Sequence, residues 1–283
     1  MIKKLIGALA LLAACGAAQA AESNYPLERA PHRLSDMAAL QNGAKLFVNH
    51  CLNCHSAVSM RYNKLQDLGL TDAQIRDNLL FTGDKVGDLM TIAMKPEDQK
   101  NWLGTATPDL SVIARAKSIN AGPSGADYIY TYLRTFYRDA SRPTGWNNLV
   151  YPSVGMPHVM WADQGPRELT QVAMVQARGK DGAAGGWERV TTTYDAQGYA
   201  SVNREPVANY TGHATNDYRF KALDTAKAQA YDRDVADLTA FMSWMAEPYQ
   251  QQRKTLGVYV LIFLSVFLII AWRLNASFWK HVR

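Results

Sequence analysis

The sequence predicts a mainly α protein with long irregular loops, a small β-hairpin insertion and one C-terminal transmembrane helix. Three observations predict it. Apolar residues recur at helical spacing over 36–55 and 225–246. An uncharged run of 17 residues, Leu256–Trp272, lies close to the C-terminus. Strand-like alternation is concentrated in Trp187–Tyr194, a turn and Tyr199–Val202. At 283 residues, 48% hydrophobic and 19% charged, the chain can bury a sizeable core in one or two domains, which excludes wholesale disorder and a disulfide-stapled miniprotein.

The net charge of +5 suggests a nucleic-acid binder at first, but its distribution removes that reading. Lys3, Lys4, Arg273, Lys280 and Arg283 lie outside the two apolar runs, and without them 25 basic residues face 25 acidic ones. The excess is a topology signal. Lys3-Lys4, the apolar stretch Leu5–Ala14 and the small-residue exit Ala18-Gln19-Ala20 read as a secretory signal peptide over 1–20. Leu12-Ala13-Ala14-Cys15-Gly16 also suits a lipoprotein site with Cys15 lipidated, a minority reading because an anchor exists at the other end. That anchor, placed at 255–273, spans roughly 26 Å over Leu256–Trp272, and Trp272, Trp279 and snorkelling basic side chains close the gap to a ~30 Å hydrocarbon layer. With the N-terminus exported, the basic tail 274–283 stays inside, leaving 21–250 as an extracytoplasmic domain.

Along that domain, Met37, Leu40, Ala44, Phe47 and Val48 mark the inner face of a first helix, with Ser35 or Asp36 as N-cap. Asp72–Leu80 is a short helix, and Gly83, Gly87 and Pro96 then break regular structure. Thr107-Pro108-Asp109-Leu110 looks like a helix start with Ser111–Lys117 following, and Gly125–Arg138 is a Tyr-rich helical candidate. Ser141–Gly165 is a long Pro/Gly-punctuated segment of the functional kind. The hairpin follows. Thr225–Ala246 is the last helix before the anchor, with Val235, Leu238, Phe241, Met242 and Met245 on one face and Pro248 beyond its end.

Cys51-Leu52-Asn53-Cys54-His55 is the spacing for covalent attachment of a c-type haem. Residues three apart in a helical turn share a face, so both sulfurs reach one edge of a porphyrin and the next residue, His55, reaches the iron. Thioether formation also explains why an exported chain, once Cys15 is gone, keeps only these two adjacent cysteines. A thioredoxin-like CxxC needs a βαβ setting and no following His. A structural zinc site needs more Cys or His at suitable spacing. A chance match to so short a pattern is the remaining rival. For the second axial ligand, Met156 in Tyr151-Pro152-Ser153-Val154-Gly155-Met156-Pro157 is the leading candidate, because flanking Gly and Pro fix an extended backbone. Met160 is its nearest rival, His158 the nearest imidazole, and Met90 and Met94 are weaker; Met37, Met242 and Met245 read as core packing.

Cys54-His55-Ser56 with Met60-Arg61-Tyr62, Thr107-Pro108-Asp109-Leu110-Ser111 with Arg115 and Lys117, Asp127-Tyr128, Gly155-Met156-Pro157 and Ala246-Glu247-Pro248 before Arg253-Lys254 occur in the order seen in the cytochrome c1 family, which the chain resembles over about 40–273. The resemblance implies a bacterial, membrane-anchored c-type cytochrome domain in the periplasm. It implies one covalent haem c per chain, Cys51 and Cys54 as thioether sites, His55 as proximal ligand, Met156 as distal ligand, and Arg115 or Lys117 as partner of a haem propionate. The implied function is electron transfer in the respiratory quinol:cytochrome c reductase, or cytochrome bc1, complex, with no enzymatic activity of the chain alone. The implied partners are the cytochrome b and iron-sulfur subunits, a cytochrome c as electron acceptor, and membrane lipid; nucleic acid is not among them. The section Leu169–Lys221 is longer than its counterpart in the family. The rival readings are a haem c subunit of a different membrane oxidoreductase and a membrane-tethered haem sensor. Asp67, Asp72, Asp77, Asp84, Asp88, Glu97 and Asp98 could steer a basic partner, though a solvated face explains them slightly better.

Overall fold

A computed structural model describes residues 25–178 and 184–281. The expected signal peptide at 1–20, and Cys15 within it, lie outside the described residues.

Helix α1, Met37–Leu46, starts where the Asp36 carboxylate accepts from Ala39 N at 3.1 Å. It runs into a π-helical turn, Phe47–Cys51, a local widening that often marks functional sites. Strand β1, Ala57–Arg61, leads through a 3-10 segment, Tyr62–Leu68, to α2, Asp72–Asn78, and pairs antiparallel with β2, Leu89–Met90. Pro96, expected to break structure, instead opens α3, Pro96–Leu103, where the first helical position needs no N–H. A single turn, α4, Ile113–Ala116, precedes α5, Gly125–Arg134, which begins with a reciprocal Ser124/Asp127 capping box. The helix expected to reach Arg138 stops at Arg134. Asn148 Nδ2 donates to the Tyr132 carbonyl at 2.7 Å, and Phe136–Arg138 forms β3, paired with β4, Trp146–Asn148.

After α6, Trp161–Gln164, come β5, Arg167–Arg178, β6, Ala184–Tyr194, β7, Ala200–Val207, and β8, Thr215–Ala222. The expected hairpin is β6–β7, and it belongs to a four-stranded antiparallel sheet ordered β7-β6-β5-β8. Leu169 pairs with both Tyr194 and Phe220, which places the three on one face, packed with Tyr137 and Leu149. The β6–β7 turn is fastened to the domain by Ala140 N donating to Gly198 O at 2.8 Å. Only glycine suits position 198: its φ is 94°, and a Cβ there would sit 2.9 Å from the Ala140 and Asp139 nitrogens.

Helix α7, Thr225–Ala246, matches its expected span, with Asp224 as N-cap. Its Val235, Leu238 and Phe241 pack with Leu40, Ala44 and Phe47 of the first helical segment in the main core, and the Phe47 and Phe241 rings lie 5.6 Å apart. Met242 and Met245 are buried as expected, but Met37 is 51% exposed, because burial along α1 begins only at Ala39. Beyond Pro248, α8, Gln250–Trp279, has no buried residue and is the one helix among those described that is long and apolar enough to cross a membrane. Its 30 residues span about 45 Å, longer than the apolar run because the polar flanks continue the same backbone ladder.

Candidate functional site

The Cys51–His55 motif leaves the π-helical turn and is stapled to the segment that follows α3. Thr107 Oγ1 donates to the Cys54 carbonyl at 2.6 Å, Leu110 N donates to Ser56 O at 2.9 Å, and Val58 N donates to Asp109 Oδ2 at 2.8 Å. The central bond is His55 Nδ1 to the Pro108 carbonyl, 2.8 Å. A carbonyl only accepts, so Nδ1 carries the proton and Nε2 keeps its lone pair. Burial lowers the His55 pKa, against opposing effects of the Pro108 bond and Asp109, so the imidazole is neutral at pH 7. Burial pushes the Cys51 thiol up to about 12, with Cys54 adding to the shift.

Met156 stands in the loop between β4 and α6. Its sulfur accepts a hydrogen bond from Tyr132 Oη at 3.4 Å. Tyr132 lies on α5 and stacks on Tyr128, one turn earlier, with centroids 6.0 Å apart and planes 7° from parallel. Lys117 Nζ lies 4.5 Å from the Tyr128 ring centre. Burial raises the Tyr132 pKa far above the ordinary phenol range, so it remains a donor at any physiological pH. Tyr132 also joins the two halves of the site: Cys51, Ile113, Tyr128 and Tyr132 border the main core, and Tyr132 and Met156 border a smaller cluster of Phe136, Trp146 and Val154. Helix α5 reaches this place because Gly125 meets α4 without a side chain; a Cβ there would be 2.0 Å from Ala114 O.

The rival ligands have different surroundings. Met160 and Met90 are buried in the main core. Met94 lines a cavity of about 390 Å³ with Ser56, Val58, Ile92 and Asp109. His158 is stacked on Phe136 at 4.9 Å and meets Trp146 and Tyr231 edge-on; burial lowers its pKa to about 3. Of the two cations expected at a propionate, Lys117 lies on Tyr128, whereas Arg115 pairs with Glu247 at 3.4 Å. Glu247 in turn holds Arg253 of the anchor helix at 2.5 Å. Several of the acidic residues have local partners: Asp67 binds Lys64 at 2.6 Å, and Asp88 accepts from Asp84 N and Lys85 N.

The donor set fits a covalent haem. Two free thiols sit at the attachment spacing, a neutral imidazole has its second nitrogen available, and a thioether keeps a lone pair beyond the one Tyr132 engages. Among the described residues no three Cys, His, Asp or Glu side chains converge to hold an ion by themselves. The Pro108 carbonyl, the Thr107 hydroxyl and the Tyr132 donor were not anticipated as functional. Thr107 and Pro108 stood out in the sequence only as part of the Thr107–Ser111 motif, and Tyr132 only through its spacing of four residues from Tyr128.

Comparison with known proteins matches residues 28–174 and 216–282 to the family described as Cytochrome C1 family. The unmatched interval contains β6 and β7. The chain is 36% identical over 282 residues to a protein of Nitrosomonas europaea named ammonia monooxygenase gamma subunit, covering 100% of this chain and 99% of that one. It is 36% identical over 282 residues to cytochrome c1 of Allochromatium vinosum, covering 99% and 100%. It is 26% identical over 305 residues to cytochrome c1 of Rhodospirillum rubrum, covering 99% and 97%.

Proposed function

The chain belongs to the cytochrome c1 family, membrane-anchored electron-transfer proteins that carry covalent haem c, and on that premise we propose which residues hold the haem and between which partners the electron passes. Cys51 and Cys54 would hold it through thioethers, and His55 Nε2 and Met156 Sδ would supply the donors to its iron. When bound, the haem supplies a one-electron iron couple. The Pro108 carbonyl fixes the His55 tautomer and ring orientation, and the Tyr132 hydroxyl aims the Met156 sulfur. Lys117 is the favoured propionate partner, since Arg115 is engaged by Glu247.

The electron comes from the iron-sulfur subunit of a quinol:cytochrome c reductase that also contains cytochrome b, and leaves to a soluble or membrane-bound cytochrome c. Residues 21–250 stand in the periplasm of a bacterial inner membrane, 255–273 cross it and 274–283 remain in the cytoplasm. The His55–Pro108 bond carries the site assignment, because it leaves the nitrogen that an iron needs. Optical and redox titration of the membrane fraction, with identification of copurifying subunits, tests the whole reading. Recovery with cytochrome b and an iron-sulfur protein is the expected result. Recovery with monooxygenase subunits instead would favour the role named for the Nitrosomonas relative.

A further inference from the structure

A second cavity, of about 470 Å³, lies between β3, β4, α6, the start of β5 and the first turn of α7. Its walls carry three cations, Arg138, Arg167 and Lys227, and two indoles, Trp146 and Trp161, with no Asp or Glu among the lining residues. Among the described residues, none of the three cations lies within ion-pair distance of a carboxylate. The neighbouring acids are engaged elsewhere. Asp163 faces His50, Asp224 caps α7, Asp232 binds Arg134, and Asp139 takes Ser141 and Asn147.

Arg167 is the unusual member. One of its terminal nitrogens donates to the Phe136 carbonyl and its guanidinium lies 3.8 Å from the Phe220 ring centre, but its enclosed Nε has no hydrogen-bond partner. Burial lowers its pKa to about 10, so it is still charged at pH 7. Enclosing a cation without a counter-charge is unfavourable, and a neutral solvent molecule does not supply one. Arg138 is held in place by Trp146 at 4.1 Å and Trp161 at 5.7 Å, which presents its N–H edge as a fixed fork. Lys227, in the first turn of α7, adds a charge where the helix dipole is positive. The volume suits a small molecule.

We propose that this cavity binds a small soluble oxyanion, a carboxylate or a phosphate, between Arg138, Arg167 and Lys227. The site is at the first turn of α7, about 28 Å along that helix from Ala246, beyond which the anchor begins, and this separation favours a soluble oxyanion over a headgroup of the anchoring bilayer. Trp161, 53% exposed, forms the rim through which the ligand enters.

The test uses the full haem-loaded chain in detergent. Thermal unfolding and isothermal titration calorimetry are run with sodium phosphate, with sodium succinate, and with sodium chloride at matched ionic strength. A saturable heat and a raised melting temperature with phosphate or succinate, absent with chloride, are expected, and the responding probe identifies whether the ligand is a phosphate or a carboxylate. The double variant Arg138→Gln/Lys227→Gln should weaken that binding at least tenfold. Arg167→Met should abolish it and melt higher than the native chain without anion; should that variant not fold, the double variant carries the test. An equal response to chloride, no response to either oxyanion, or undiminished binding by the double variant overturns the proposal.

Discussion

The Tyr132 hydroxyl donates to the Met156 sulfur at 3.4 Å, and the two residues are 24 positions apart on different elements. Such a bond withdraws electron density from a thioether and so favours the reduced iron to which the sulfur would bind. Tyr132→Phe keeps the ring stack on Tyr128 and removes only the donor. A net hydrogen bond of about 0.5–1 kcal/mol corresponds to ~20–40 mV for one electron. The reduction potential should fall by that order while the near-infrared sulfur-to-iron band persists; an unchanged potential would separate Tyr132 from the ligand.

Met156→Leu should remove the near-infrared band altogether. The accompanying drop in potential should be on the order of 100 mV or more, within the ~0.8 V range that axial ligands command. If the band survives, the ligand lies elsewhere, and Met160→Leu is the next variant to measure.

Cys51→Ser leaves one thioether site of two. Haem staining on a denaturing gel should weaken together with maturation of the protein, whereas Asn53→Ala, between the cysteines, should stain like the parent. Full staining of the Cys51 variant contradicts attachment through this thiol.

Gly125→Ala drives a methyl group into the Ala114 carbonyl, where a Cβ would be 2.0 Å away. Overpacking of this kind costs about 1–3 kcal/mol. Chemical denaturation should register the loss, and because α5 carries Tyr128 and Tyr132 the visible spectrum should broaden with it.

Asp127 accepts from Ala30 N at 2.8 Å and Ser124 N at 2.9 Å. Burial works to raise its pKa, but these bonds and Arg29 outweigh it and the carboxyl is held below its ordinary value of 3.8. A depressed folded pKa stabilises the fold above the unfolded value, and that contribution disappears as pH falls through the folded one. Asp127→Asn should therefore be less stable than the parent at pH 7, and the gap in melting temperature should close as pH falls below 3.8. A gap that stays constant from pH 7 to pH 3 would assign the effect to packing.

What was legible in the sequence followed from local pattern. Helix α7 and the Cys51–His55 turn depend on spacing within a few residues, and the anchor depends on an uninterrupted apolar run. The irregular course of the Met156 loop was legible because Pro157 fixes its own φ and restricts the residue before it. Pro108 was not, since a carbonyl acceptor has no side-chain signature and the bond to His55 joins segments 53 residues apart. The sheet was underestimated for a similar reason. Strands β5 and β8 pair residues 41 to 55 positions apart, and half of their alternation is polar, so Leu169 and Phe220 reveal their common face only once they are side by side. The end of α5 has no local signal, because Asn148, a residue from another element, takes the carbonyl that would have continued the helix.

Glu247 grips Arg115 on one side and Arg253 on the other, so the two pairs bridge the break at Pro248 between α7 and α8. The first turn of the anchor helix is thereby tied to the short helical turn that carries Arg115, by exposed pairs that each hold only weakly.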